Sequence, residues 1–283
     1  MSGRAPRPVH PNVAARLAEI AAHYHRPEYI APDPLQCVRR HARVADREVV
    51  ALLAATLAFG RVSHIIQSVE RVLARMGPEP GAWLAAERPA LIARACAGCR
   101  HRWVTEEELA NLLVAARGMI RAEGSMGAAW ARAIRPEDVD AHDTLARWVA
   151  ALDTHGLAAD NALIPRPDRQ SACKRLHLFL RWMIRCDVID PGGWADRPAR
   201  LLFPLDVHMH RMGRALGFTR RSAADLKTAR ELTARFRMVD PDDPVRFDFA
   251  LTRMPIRDGL GVADIRRVLR SPARVAIFSG SIG

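Results

Sequence analysis

Apolar residues recur at three- and four-residue intervals through most of the chain, and alternating β-branched runs bounded by turn residues are nearly absent. A stripe with that repeat lies along one side of a helix, so the apolar groups can be buried only by packing helix on helix. The expected fold class is all-α. The pattern predicts helices over 13–23, 46–76, 83–95, 106–122, 144–151, 171–186, 207–216, 223–238 and 244–254, the second long enough to break. Gly77-Pro78, Gly98, Gly124, Pro191-Gly192-Gly193, Gly217 and the acidic stretch 240–244 supply the stops. A chain of 283 residues buries a sizeable core as one large domain or two interleaved helical lobes. The division expected is a basic N-terminal segment over 1–23, a helical domain over 24–255 and a turn-rich basic tail over 256–283, with both ends prone to fray. Residues 158–170, polar with two prolines, read as a linker ahead of the segment 165–217, which holds the densest motifs.

Charge narrows the partners. Lysine and arginine number 43 against 31 acidic residues, a formal +12 that points to a polyanion such as nucleic acid. Only two of those cations are lysines, Lys174 and Lys227. The longest largely apolar stretch, 49–59, is far short of a membrane span, and the N-terminus lacks the apolar core of a secretory signal. Five irregularly spaced cysteines read as reduced thiols. A cytoplasmic, nucleoid-associated protein without membrane contact is expected, acting as a monomer.

In a helix over 171–186, Ala172, Leu176, Phe179 and Met183 form an apolar stripe, while Lys174, Arg181 and Arg185 fall opposite, interrupted by Leu178. An amine is a nucleophile only once deprotonated, and a lysine at its ordinary pKa of about 10.4 is almost wholly protonated near neutrality. Burial and neighbouring guanidiniums both push that value down. The alternative is an ordinary surface or phosphate-contacting lysine. Thirty-two residues on, Pro204-Leu205-Asp206 leads into a helix that stops at Gly217, so Asp206 is placed to cap it. Capping needs no chemistry, yet it holds a carboxylate ionised, ready to stabilise a developing cation.

The pattern Lys-x4-Phe-Leu-Arg over 174–181, followed by Pro-Leu-Asp-Val-His-x-x-Arg, resembles the catalytic segment of helix-hairpin-helix DNA glycosylases. It is most similar to the archaeal 8-oxoguanine glycosylases, in the lysine helix and in the long lysine-to-aspartate separation. A longer set, YHRPEYIAPDP, LLAATLAFGR, SACKRLHLFLRWMIR, PLDVH and DPDDPVRFDFAL, resembles a broad bacterial family of uncharacterised proteins. The first resemblance implies a helix-hairpin-helix glycosylase-like fold and a bifunctional DNA repair enzyme. Lys174 would attack the sugar C1′ and form a Schiff base with AP lyase activity, while Asp206 would stabilise the cationic sugar. An oxidised purine such as 8-oxoguanine in double-stranded DNA is the substrate implied. Asp248 resembles an aspartate that contacts the base, and Trp182, Trp194 and Phe203 are candidate walls of the base pocket, although such a residue is more often core than pocket.

The hairpin departs from the family pattern. Ile164-Pro165-Arg166-Pro167-Asp168-Arg169 stands where a Gly-x-Gly turn is usual, and proline has no amide to offer a phosphate. Arg166, Arg169 and the amides near Ser171 are the expected substitutes, with Arg181, His208 and Arg211 as further DNA contacts. Gly60-Arg61 can also approach a DNA backbone. The cysteines of an iron–sulfur cluster are missing after Asp206, so no cofactor is expected. Cys96-x-x-Cys99 is half a zinc site, and the i, i+2 spacing of His208 and His210 disfavours shared chelation, so no metal site is expected. Two other functions stay open: a non-catalytic DNA- or RNA-binding protein on the same fold, and a metal-dependent hydrolase using Asp206 with histidines.

Overall fold

The computed structural model describes residues 9–271. Among these residues the chain forms fourteen α-helices and no β-strand. In chain order they are α1 (Pro11–Tyr24), α2 (Leu35–Arg39), α3 (Val44–Thr56), α4 (Val62–Met76), α5 (Pro80–Ala86), α6 (Pro89–Cys96), α7 (Glu106–Glu123), α8 (Met126–Ala133), α9 (Ala141–Thr154), α10 (Lys174–Ile184), α11 (Val207–Leu216), α12 (Leu226–Arg237), α13 (Phe247–Asp258) and α14 (Val262–Arg270).

The all-α class is as the periodicity requires, and the differences lie at breaks and ends. The stretch over 46–76 splits into α3 and α4 around Gly60, whose φ of +93° no β-carbon tolerates well. The helix read over 83–95 is two helices, because Pro80 and Pro89 each begin one. Pro255, expected to end a helix at residue 254, sits inside α13, which runs on to Asp258. Short α2 and α8 carry too few turns for a periodic signal.

The two ends of the chain meet. α1 packs on α13 and α14, and α14 also packs on α11. Val13, Leu17 and Ile20 from α1 and Ile265 and Leu269 from α14 join the buried core. Residues 11–24 are thus part of the packed helical body, and so is much of the segment read as a fraying tail, since α14 buries its apolar stripe. Residues 1–8 and 272–283 lie outside the described residues. Helices α2 to α9 make up the middle of the chain, and α10 joins the two parts by packing along α3, whose residues 49–55 are wholly buried. Each fully buried leucine or valine of α3 contributes roughly 1.5–3 kcal/mol.

Candidate functional site

The turn before α10 fixes where Lys174 stands. Gln170 and Cys173 take left-handed conformations (φ 58° and 43°), which coil residues 170–173 tightly and start the helix at Lys174 rather than at Ser171. The turn is held to the start of α12: the Leu226 amide donates to the Gln170 carbonyl at 3.1 Å, and Ser171 pairs with Asp225. Ser171 Oγ accepts from the Cys173 amide at 3.2 Å. Lys174 is therefore half-buried in the first turn of α10, with no hydrogen bond or ion pair among the described residues.

Asp206 caps α11 as its place in the sequence predicts. Its Oδ1 accepts from the Met209 amide at 2.8 Å, and Gly217 closes the helix in the left-handed conformation. Asp248 lies in the first turn of α13 and is buried. Burial raises its carboxyl from the ordinary value, and Asp206 pushes the same way, while Arg181 and Lys174 draw it down. A buried carboxyl that feels both groups places Lys174, Asp206 and Asp248 in one electrostatic neighbourhood. Three helix starts, separated by 32 and 42 residues in sequence, converge there.

Arg181 is not a DNA contact. It is 4% exposed, with Nε and Nη2 donating to Asp190 Oδ1 at 3.2 and 3.0 Å and Nη1 bonded to Asp248. Burial works against its charge, but Asp190 and Asp248 outweigh that cost and hold it protonated. Arg185 joins Asp190 as well and bonds Asp243 at 2.9 Å and Asp187 at 2.5 Å. The basic stripe of α10 is thus the cationic half of a buried ion network, and its guanidiniums are neutralised beside Lys174 rather than repelling it.

Arg166 is likewise committed. It holds both Asp153 oxygens at 2.7 and 2.8 Å and the carbonyls of Ala158 and Ala159, which pins the linker instead of leaving a phosphate anchor. Arg169 and Arg211 are exposed and form no ion pair among the described residues. His208 is half-buried, its Nε2 has no partner among the described residues, and it makes no hydrogen bond to Asp206.

The aromatic residues expected as pocket walls are core. Phe203 is fully buried and stacks on Phe236 with ring centres 4.4 Å apart. Trp194 packs edge-on against Phe179 and donates to Glu48 Oε1 at 2.7 Å, an oxygen that also accepts the Gly127 amide. A β-carbon at Gly127 would lie 2.7 Å from the Trp194 ring, so only glycine allows this approach. Trp182 is 1% exposed, and its buried Nε1 lacks a partner among the described residues. Spacing marks these rings as apolar-facing without saying whether that face is core or cleft.

Arg175 and Trp103 carry features that sequence spacing did not single out. Arg175, next to Lys174, bonds the Thr56 and Ala162 carbonyls at 2.8 and 2.9 Å and lays its guanidinium 5.1 Å over the Phe59 ring. Phe59 in turn stacks on Trp103 with ring centres 4.7 Å apart. Their only signal was an aromatic in each of two loops far apart in sequence. His142 and His177 form a second such pair: Nδ1 of the first and Nε2 of the second are 3.0 Å apart, and burial pushes His177 down to about 3.

Among the described residues no three His, Cys, Asp or Glu side chains converge to hold a metal ion. His210 Nε2 meets the Arg221 carbonyl at 3.0 Å. Burial, with Cys99 beside it, pushes the Cys96 thiol up to about 12, and burial raises Cys99 as well, which disfavours the thiolates a metal requires. No described helix is long and apolar enough to cross a membrane.

No curated protein and no solved structure matches the chain. One protein family does, over residues 33–257, a span that takes in α3, the lysine turn, the Asp206 cap and Asp248. The chain belongs to this family, described as "Protein of unknown function (DUF2400)".

Proposed function

We propose that the protein is a helix-hairpin-helix-type DNA glycosylase with AP lyase activity, acting on an oxidised purine such as 8-oxoguanine in double-stranded DNA. The observation that carries the reading is the setting of Lys174. In a chain with 43 basic residues of which two are lysines, one lysine stands half-buried at a helix start, unpaired among the described residues, in the neighbourhood of two carboxyls, Asp206 and Asp248. Arginine cannot fill that position chemically, because it does not shed its proton.

The chemistry follows from these groups. The deprotonated Lys174 amine attacks C1′ as the C1′–N bond breaks, and the base leaves with the bonding electrons and takes up a proton. The Asp206 carboxylate, held in place by its cap bond, stabilises the positive charge that builds on the sugar. The amine then loses its proton, O4′ takes up a proton as the C1′–O4′ bond breaks and the sugar ring opens to an iminium, and loss of the 2′ proton expels the 3′ phosphate. The strand is cut by β-elimination, and water releases the lysine.

Borohydride reduction of the iminium tests this. Incubated with duplex DNA carrying 8-oxoguanine or an abasic site and then reduced, the protein is expected to form a covalent adduct, which Lys174→Gln abolishes and Lys227→Gln, at an exposed position, retains. Asp206→Asn separates the aspartate's two roles. Asparagine caps a helix about as well as aspartate, so stability is expected to hold while adduct formation falls by roughly 10²–10³. Absence of base release and of adduct across a panel of lesions, with salt-dependent binding intact, would instead establish the second reading, a non-catalytic nucleic-acid-binding protein. The Asp206 cap bond favours that reading because it gives the aspartate a structural role.

A further inference from the structure

The acid-rich surroundings of Lys174 leave open where a +12 chain holds a polyanion. The guanidiniums of Arg181 and Arg185, at the end of α10, face four carboxylates, so that region does not carry the excess. The loop after α3, helix α4 and the loop before α7 line a cavity of about 360 Å³, within the size range of ligand pockets. Its lining includes Arg61, His64, Arg71, Arg100 and Arg102, and no carboxylate. Arg61, Arg100 and Arg102 are exposed and form no ion pair among the described residues, and Arg71 reaches only the Gly98 carbonyl, at 3.4 Å.

The cavity is built rather than incidental. His101, buried at its base, lies between the Phe59 carbonyl, 2.9 Å from Nε2, and the Ser68 hydroxyl, 3.0 Å from Nδ1, which ties the two loops together. Gly60, in the left-handed region, lets the Arg102 side chain pass 3.1 Å from where its β-carbon would be. At the rim Trp103 is 58% exposed, stacked on Phe59 beneath, with the Arg102 guanidinium 5.0 Å from its ring centre. An indole held open to solvent beside the Arg102 guanidinium, next to a cavity whose arginines form no ion pair among the described residues, is poorly explained by folding, since exposure forgoes its burial energy and the like charges repel.

We propose that this cavity and Trp103 form a second DNA-binding subsite, in which Arg61 and Arg100 take backbone phosphates and one unpaired base stacks on Trp103 or on the Arg102 plane laid over it. Base stacking on an aromatic and phosphate pairing with arginine are the two elements of single-strand recognition, and here they adjoin. The stack from Arg175 through Phe59 to Trp103 ties the subsite to the first turn of α10, so a strand at Lys174 has its flanking nucleotides within reach of it. The assignment rests on the reading above only in taking the polyanion to be DNA.

The test uses the full chain and a fluorescein-labelled duplex with a central tetrahydrofuran abasic analogue, read by anisotropy from 50 to 200 mM salt, with thermal melting as the check on folding. Trp103→Ala is expected to weaken binding about tenfold, and Trp103→Phe to restore most of the loss. Arg61→Ala with Arg100→Ala is expected to lower the slope of log Kd against log salt by roughly 1.8, about 0.9 for each phosphate lost. Affinities within twofold of the parent and an unchanged slope in all three proteins overturn the subsite. The borohydride adduct separates the two proposals. Adduct formation with all three variants indifferent in binding removes the subsite and keeps the enzyme, whereas a tenfold loss in Trp103→Ala without adduct on any lesion keeps the subsite and removes the enzyme.

Discussion

Two arginine-rich regions of this protein look alike in composition and have opposite character. At the end of α10, Arg181 and the capping residue Arg185 are buried and bonded to Asp187, Asp190, Asp243 and Asp248. Around the α3–α4 loop, Arg61, Arg100 and Arg102 stand in solvent with no carboxylate in the cavity they line. The difference comes from the neighbouring chain. The turn after α10 brings Asp187 and Asp190 back onto the helix, and α13 brings Asp248, whereas the Gly60 loop supplies no acid. Net charge therefore reports that a polyanion is expected, and only the pairing of each cation says where.

The largest effect that could break this contrast is loss of Arg181. Arg181→Met leaves Asp190 and Asp248 buried without their shared cation, so a destabilisation of about 3–5 kcal/mol is expected in urea unfolding. A loss below about 1 kcal/mol would mean that the network is solvated and the two regions are of one kind.

The His142–His177 pair gives the next largest effect, and it depends on pH. Burial, with His142 and Arg230 adding to it, lowers His177 from 6.5 to about 3, so the folded state stays neutral where the unfolded state takes up a proton. Between those two values the unfolded chain binds one more proton, and stability falls as pH falls, by up to about 1.4 kcal/mol per pH unit. Urea midpoints from pH 7 to pH 4 are expected to drop more steeply in the parent than in His177→Asn, and parallel slopes would show that the pair is wet. Removing the Asp206 cap ranks below this: Asp206→Ala is expected to cost about 1 kcal/mol in the same assay. Smallest of all, Arg61→Ala or Arg100→Ala should move stability by no more than about 0.5 kcal/mol, sharpening the claim that these cations serve a ligand and not the fold.

Much of this was legible in the sequence, for identifiable reasons. The helical class follows from the period of the apolar residues, and the Asp206 cap with its Gly217 stop follows from local backbone chemistry. Lys174 was legible through the rarity of its residue type and the pattern around it. Arg181 was misread because a helical wheel gives the angle of a side chain but not what covers it, and Asp190 and Asp248 were needed to see that the covering is acidic. Phe203, Trp182 and Trp194 were misread for the same reason, since the core and a cleft are both apolar. The Phe59–Trp103 stack joins two loops on different helices, and no spacing along the chain encodes such a contact.

The sequence by itself determined that this chain is helical, strongly basic and nearly without lysine, because those properties are sums and periods over residues. The convergence of Lys174, Asp206 and Asp248, the neutralisation of the α10 arginines and the freedom of those at the α3–α4 loop were decided by tertiary structure alone. The physical reason is that charge pairing and burial depend on distances between segments far apart in the chain, and those distances exist only once the helices have packed.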